Sequence, residues 1–323
     1  MSETGNLPMP VELATEAAPI PALPKVKASP AIKRFNTCVV TALGSAQRDW
    51  LLSVKGLDGP TVSEEAATAE RNRRADARME HQHRRRQANL DAILLHAFAR
   101  LPEKVDEGEI DPDWAARLFD MCADCADPER QAIWARLLIM EVRRPGAVPP
   151  VAMRVLASLS PRLTEWLRVI AGLTINNFFV RLSDGFNAER GLVGDVILLL
   201  EEYGLLRTNK DMTKVFRSQI EAKFTTNLLY NDKILRIIHD DPKKELVVPC
   251  YRLTDAGAAL CTAIIQEEKI STDMEYIIEI VRHAQKQGCT VMQADILKRA
   301  SENVVSKHSP FSEIVALHTR RGS

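Results

Sequence analysis

Aromatic residues are scarce. Trp, Tyr and Phe make up 5% of the 323 residues, with four tryptophans, four tyrosines and nine phenylalanines. No aromatic-lined pocket is visible in such a sequence, and no aromatics alternate with basic residues as single-strand nucleic-acid binding by base stacking requires. Long apolar runs are missing too. A membrane-spanning helix needs roughly 18–20 consecutive apolar residues, and the strongest patch here, Val196–Leu200, is far shorter. Neither charge sign is in excess: 43 Lys and Arg balance 43 Asp and Glu, so charge has to be read segment by segment. The six cysteines are irregularly spaced and do not form a disulfide framework. Residues 1–30 lack the charged start and apolar core of a signal peptide. A Walker phosphate loop, a GxSxG elbow and an HExxH pair are all absent. These absences lead us to expect a soluble protein of the bacterial cytoplasm, without a cofactor or metal and without a catalytic constellation.

The best-defined stretch runs from Asp111 to Gly146. Asp111-Pro112 opens one helix and Asp127-Pro128-Glu129 a second, because an aspartate can cap free backbone N–H groups and proline suits the first helical position. Arg143 and Arg144, before Pro145-Gly146, place cations at the negative end of the second helix. Trp114, Leu118, Met121, Cys122 and Cys125 share a face of the first helix; Ile133, Trp134, Leu137 and Leu138 share one of the second. Trp114, Trp134, Leu137, Leu138 and Trp166 are therefore the expected core anchors.

The whole chain predicts a mainly α fold: a helical array with a long N-terminal helix, followed by a small α+β winged-helix-like module. Residues 1–30 carry six of the seventeen prolines and read as a disordered tail. Residues 31–60 read as a short helical segment and linker. A helical domain over 61–173 includes a long helix whose second half carries the apolar stripe Leu90, Ile93, Leu94, Ala97, Phe98 and Leu101. Ser160-Pro161 repeats the cap-plus-proline signal. From 174 to 270 the pattern changes: a short strand at Phe178–Leu182, a helix over Leu192–Leu206 stopped by Gly204, a hairpin around Asn231-Asp232-Lys233, and a strand over Leu246–Leu253 with Pro249 at an edge or bulge. Residues 271–323 read as a last helix, Asp273–Gln287, and a loose tail.

The first half of the long helix holds seven arginines between Arg71 and Arg86. Arg71, Arg74, Arg78, His81 and Arg85 fall on one helical face and are the candidate surface for a partner or for nucleic acid. Such a stripe can follow a phosphate backbone with salt-sensitive affinity, or it can be a solvated face offset by Glu64, Glu65, Glu70, Asp76 and Glu80. Cys122-x-x-Cys125 has metal or redox spacing, but no second pair completes a four-ligand zinc site, and both cysteines continue an apolar stripe. His81 and His83, two apart on a helix, point to different faces. Asp111, Asp113, Asp127 and Glu129 are accounted for by helix starts. In the winged-helix-like module, Asp195, Glu201 and Glu202 make the helix acidic, which suits protein contact better than groove reading.

Arg84 to Ile93, Asp113-Trp114, the run W-A-x-L-L-x-x-E from Trp134 to Glu141 and Pro145-Gly146 together resemble the bacterial domain-of-unknown-function 2806 family. Glu202 to Leu206 and Tyr251 to Leu260 are also similar to that family and, more weakly, to abortive-infection alpha proteins. The likeness covers roughly residues 84–265. It implies no catalytic residues; it implies a setting in bacterial genomes and mobile elements and, for the abortive-infection likeness alone, defence against phage. The expectation is a non-enzymatic defence or stress protein that binds a phage or host protein, with no membrane role. A nucleic-acid-binding regulator using Arg71–Arg86, and a toxin-like enzyme with a site scattered in sequence, are the alternatives. Homo-oligomerisation stays open.

Overall fold

The computed structural model describes residues 30–54, 63–209, 211–218, 221–268, 270–301 and 304–314. Apart from Pro30, the expected N-terminal tail lies outside the described residues, as do 55–60 of the expected linker and 315–323 of the expected C-terminal tail. The chain divides into two compact units, Met1–Arg85 and Arg86–Ser323.

The first unit contains α1 (Pro30–Leu43), α2 (Ser45–Val54) and the start of α3 (Glu64–Phe98). Gly44 separates α1 from α2 at φ +89°, a left-handed value that favours glycine. A β-carbon on Gly44 would sit 3.2 Å from the His81 side chain, so here α3 lies close against the turn.

In the second unit the helical array continues with α4 (Pro112–Cys122), α5 (Pro128–Arg143), α6 (Pro150–Ser158) and α7 (Pro161–Leu173). Each begins on proline. The Asp111 carboxylate accepts from the Asp113 N–H at 2.9 Å, Asp127 from the Glu129 N–H at 3.2 Å, and the Ser160 hydroxyl from the Leu163 N–H at 3.3 Å. Trp114, Trp134 and Leu137 are buried, whereas Leu138 and Trp166 are half-buried, the latter beneath the Arg162 guanidinium.

The docking face of α3 differs from the expected one. Asn89, Ile93 and Ala97 are buried and Leu90 is half-buried, while Leu94, Leu95, Phe98 and Leu101 stay exposed, Phe98 at 76%. The face is turned because two polar side chains anchor it. Arg86 donates to the Asp120 carboxylate and backbone carbonyl, and Asn89 donates to the Ala123 carbonyl at 2.7 Å. Periodicity among apolar residues could not register this.

After α7 come β1 (Phe178–Val180), α8 (Asp184–Glu189), α9 (Gly194–Glu202), β2 (Leu206–Arg207), β3 (Thr213–Arg217), β4 (Phe224–Tyr230), β5 (Lys233–His239) and β6 (Glu245–Leu253). Strand β6 lies between β1 and β2 and also pairs with β3, all antiparallel. Pro249 sits within β6, which lies between β1 and β2, rather than at the expected edge or bulge. Its carbonyl accepts from the Arg181 N–H just past β1, so the missing proline N–H falls where the β1 ladder has already ended. Helix α9 ends at a turn with Gly204 at φ +72°, where Leu205 N–H reaches back to the Leu200 carbonyl.

Helices α10 (Asp255–Glu267) and α11 (Met274–Lys286) precede β7 (Thr290–Ser301), β8 (Val304–His308) and β9 (Ser312–Glu313). Helix α10 packs on α5, α6 and α7. A second antiparallel sheet runs β4-β5-β7-β8, with β9 also on β7. The fold is thus α+β, a helical array followed by antiparallel sheets, rather than mainly α. The segment after α11, expected to be loose, supplies three strands because β5 offers β7 an open ladder from Lys233 to Ile238. A buried polar cluster ties these parts together. The Tyr276 hydroxyl accepts from the Val180 N–H at 2.7 Å, and the Tyr230 hydroxyl donates to the Gly172 carbonyl at 2.7 Å and accepts from the Asp273 N–H. Burial pushes the Tyr230 hydroxyl up to about 12 and raises Tyr276 well above the usual tyrosine value, so both stay protonated.

Candidate interaction surfaces

Two of the five residues of the arginine stripe face inward within the first unit. The Arg74 guanidinium stacks 4.0 Å from the centre of the Trp50 ring and lies 3.4 Å from Gln47 Oε1. His81 Nε2 lies 3.0 Å from the Thr41 carbonyl oxygen, which can only accept, so Nε2 carries the proton. Arg85 is half-buried. Arg71 and Arg78 are exposed and reach solvent. Two arginines just off the stripe are paired along the helix, Arg73 with Glu70 and Arg84 with Glu80. Arg74 and His81 of the stripe therefore form part of the seat of the α1–α2 hairpin, while Arg71 and Arg78 stay exposed. Sequence reasoning missed this because Trp50 and Thr41 approach α3 only through tertiary packing.

The residues of the W-A-x-L-L-x-x-E…P-G run have structural tasks. Glu141, only 2% exposed at the end of α5, accepts from the Gly146 N–H at 2.6 Å and the Val148 N–H at 2.9 Å. The indole N–H of Trp114 donates to the Val148 carbonyl at 2.9 Å, so the same short loop is gripped from both sides. Gly146 adopts φ +79°, which glycine tolerates best. Gln131 donates to the Cys125 carbonyl and to the Asn89 side chain. Cys122 is buried and Cys125 half-buried; burial pushes the Cys122 thiol up to about 12 and raises Cys125 as well. Thiols held protonated make poor nucleophiles and poor metal ligands. Among the described residues no group of three or more His, Cys, Asp or Glu is placed to hold a metal ion. Nor is any helix among them long and apolar enough to cross a membrane.

Helix α9 presents a different surface. Val196, Ile197 and Leu200 are buried in the core. The opposite side exposes Val193, Asp195, Leu198 and Glu202, with Leu198 at 56%. Asp195, Leu198 and Glu202 stand at i, i+3 and i+7 and share one stripe. The neighbouring Glu201 is occupied, since its carboxylate accepts from both the backbone N–H and the hydroxyl of Thr208. Those hydrogen bonds hold its carboxyl below the usual carboxylate range. The helix carries no basic residue.

The second unit is thus a proline-punctuated helical array continued by antiparallel sheets. Residues 73–182 match the family described as "Protein of unknown function (DUF2806)". The match extends the resemblance drawn from sequence towards the N-terminus and ends just after β1, so the likeness of Glu202–Leu206 and Tyr251–Leu260 falls outside it. Nothing in the comparison supports the likeness to abortive-infection alpha proteins. No curated protein and no solved structure matches the chain.

Proposed function

We propose that the chain acts by binding a protein partner, through a winged-helix-like module running from α7 to β6. The element order α7-β1-α8-α9-β2-β3, closed by β6 after the β4–β5 hairpin of the second sheet, supports this reading, with β6 lying between β1 and β2. In that arrangement α9 occupies the position of a groove-reading helix, and the β3–β6 pair the position of a wing. The observation that carries the proposal is the chemistry of the α9 face. Two carboxylates, Asp195 and Glu202, flank exposed Leu198, Val193 is exposed at the start of the helix, and the helix has no cation. DNA backbone would be repelled there, while a basic amphipathic segment of a protein partner would meet both an apolar strip and two anions. The exposed apolar residues Leu94, Leu95 and Phe98 of α3, with Leu101 just beyond its end, add a second patch of the kind that marks protein contact. The setting we assign is bacterial phage defence or stress response in the cytoplasm, without catalysis; it rests only on the sequence likeness of Glu202–Leu206 and Tyr251–Leu260 to abortive-infection alpha proteins, which lies outside the matched residues 73–182.

The test is fluorescence anisotropy with two labelled probes, a Leu/Lys amphipathic helical peptide and a short DNA duplex, each across a salt series. We expect the peptide to bind and Leu198→Asp to weaken it at least tenfold, about 1.4 kcal/mol, with the duplex left unbound. Duplex binding that falls steeply with salt and is lost in the Arg71→Ala, Arg78→Ala double variant would instead establish the regulator reading. For the setting, phage plating efficiency that does not change when the gene is removed rules out defence.

A further inference from the structure

A cleft of about 760 Å³ opens between the Asn176-Asn177 turn, α10 and the β4–β5 face of the second sheet. This lies within the ~300–1,000 Å³ typical of small-molecule sites. Alternation along the strands builds its wall. Leu228, Tyr230, Leu235 and Ile237 point into the core, so Asn227 and Leu229 of β4 and Ile234 and Arg236 of β5 point the other way, paired across the ladder as Asn227–Arg236 and Leu229–Ile234. Thr262 of α10 and His308 of β8 complete the polar lining. Among the described residues no carboxylate lines the cleft, although Asp and Glu are as frequent in the chain as Lys and Arg.

The cation in this cleft is oriented in advance. The Arg236 guanidinium lies 3.8 Å over the Phe311 ring, and its Nε donates to Asn227 Oδ1 at 3.1 Å. His308 packs on the same Phe311 ring at 4.8 Å. With Nε and one face committed, the two terminal nitrogens of Arg236 remain as a fork, and among the described residues they meet no acceptor. Such a fork matches a phosphate bidentately. His308 Nδ1 lies 2.6 Å from the Ser309 carbonyl, which places the proton on Nδ1 and leaves Nε2 for a ligand.

The mouth of the cleft adds a second kind of chemistry. Asn176 is held at φ +56° in a tight turn closed by hydrogen bonds between Ile175 and Phe178 in both directions. Asparagine is among the few non-glycine residues that tolerate this conformation. The turn presents two consecutive amides, and among the described residues neither the Asn176 nor the Asn177 side chain has a hydrogen-bond partner. An amide offers a donor and an acceptor side by side, the pattern that reads the edge of a nucleobase.

We propose that this cleft binds a nucleotide, with Arg236 taking a phosphate and the Asn176-Asn177 amides taking polar edges of the base or sugar. The site is independent of the α9 surface, so either reading can fail alone. The test uses the full chain in calorimetric titrations and thermal-shift series with the nucleoside monophosphates, matched nucleosides and inorganic phosphate. We expect at least one nucleotide to bind tenfold or more tightly than either its nucleoside or phosphate. Arg236→Gln and Asn177→Ala should each weaken that binding at least tenfold; Asn177 is exposed and its side chain bonds nothing, so its variant should melt like the parent without ligand. If no nucleotide raises the melting temperature, if phosphate alone binds as tightly, or if the well-folded Asn177→Ala variant binds unchanged, the assignment is overturned.

Discussion

Glu141→Gln tests the account of the α5–α6 loop most directly. The carboxylate is buried and accepts two backbone N–H groups, from Gly146 and Val148. Hydrogen bonds to a charged group contribute about 1.5–3 kcal/mol each. Glutamine keeps one acceptor oxygen but turns an NH2 group against the second N–H, so one of the two bonds is lost and the other loses its charge. The gross cost is about 2–4 kcal/mol. One term opposes it. Glu141 lies in the last turns of α5, at the negative end of the helix dipole, and neutralising it returns about 0.3–1 kcal/mol. A net loss of about 1–4 kcal/mol follows, which for a unit of this size lowers the melting temperature by about 2–15 °C. Urea unfolding followed by tryptophan emission measures it, and the loop is reported locally because Trp114 bonds the carbonyl of the same Val148 that Glu141 holds by its N–H. A Glu141→Gln protein within about 0.5 kcal/mol of the parent, the range of an ordinary surface change, would refute the reasoning.

Two further outcomes follow from close contacts and from buried protons. A β-carbon on Gly257, in the first turn of α10, would lie 2.1 Å from the Leu205 carbonyl oxygen, so Gly257→Ala must push α10 off β2 and should cost at least the ~1–3 kcal/mol of an overpacked core; the urea midpoint checks this, and an unchanged midpoint contradicts the contact. Stability should also fall at high pH. Burial raises Cys122, Cys261 and Tyr230 to about 12 from ordinary values of 9.0 for cysteine and 10.0 for tyrosine. In that window the unfolded chain has lost protons that the folded chain keeps, so stabilisation that is complete below pH 9 drains away as the pH rises towards 12, by about 1.4 kcal/mol per pH unit for each group once its unfolded form has ionised. Urea midpoints measured from pH 8 upward should bend downward, less so in Cys261→Ala; a flat profile would show that these groups are not buried as described.

How much of this was legible depended on the range of the forces involved. Helices α4, α5 and α7 could be located from sequence because Asp111-Pro112, Asp127-Pro128 and Ser160-Pro161 act within three residues of themselves. The β4–β5 hairpin was readable for the same reason, with Asn231 at φ +47° in a two-residue turn. Strand β7 was not. Its partner β5 lies more than fifty residues away, and no turn signal next to it announces a strand. The cleft was equally hidden, because Asn176, Asn227, Arg236 and His308 come from four separate segments.

The sequence by itself therefore determined the local grammar: where helices start, where glycine must turn the chain, which cysteines and tryptophans belong to apolar faces, and the absence of a recognisable catalytic motif. Tertiary structure decided which face of each element is used. It turned α3 onto Asn89 and Arg86 instead of Leu94 and Phe98, because buried polar groups demand partners at fixed geometry and apolar residues do not. It converted Arg74 and His81 from a phosphate-tracking row into the seat for Trp50 and Thr41. And it gathered an arginine, a histidine and three asparagines around one cleft, because the Asn176-Asn177 turn and β8 meet the β4–β5 hairpin only through long-range packing.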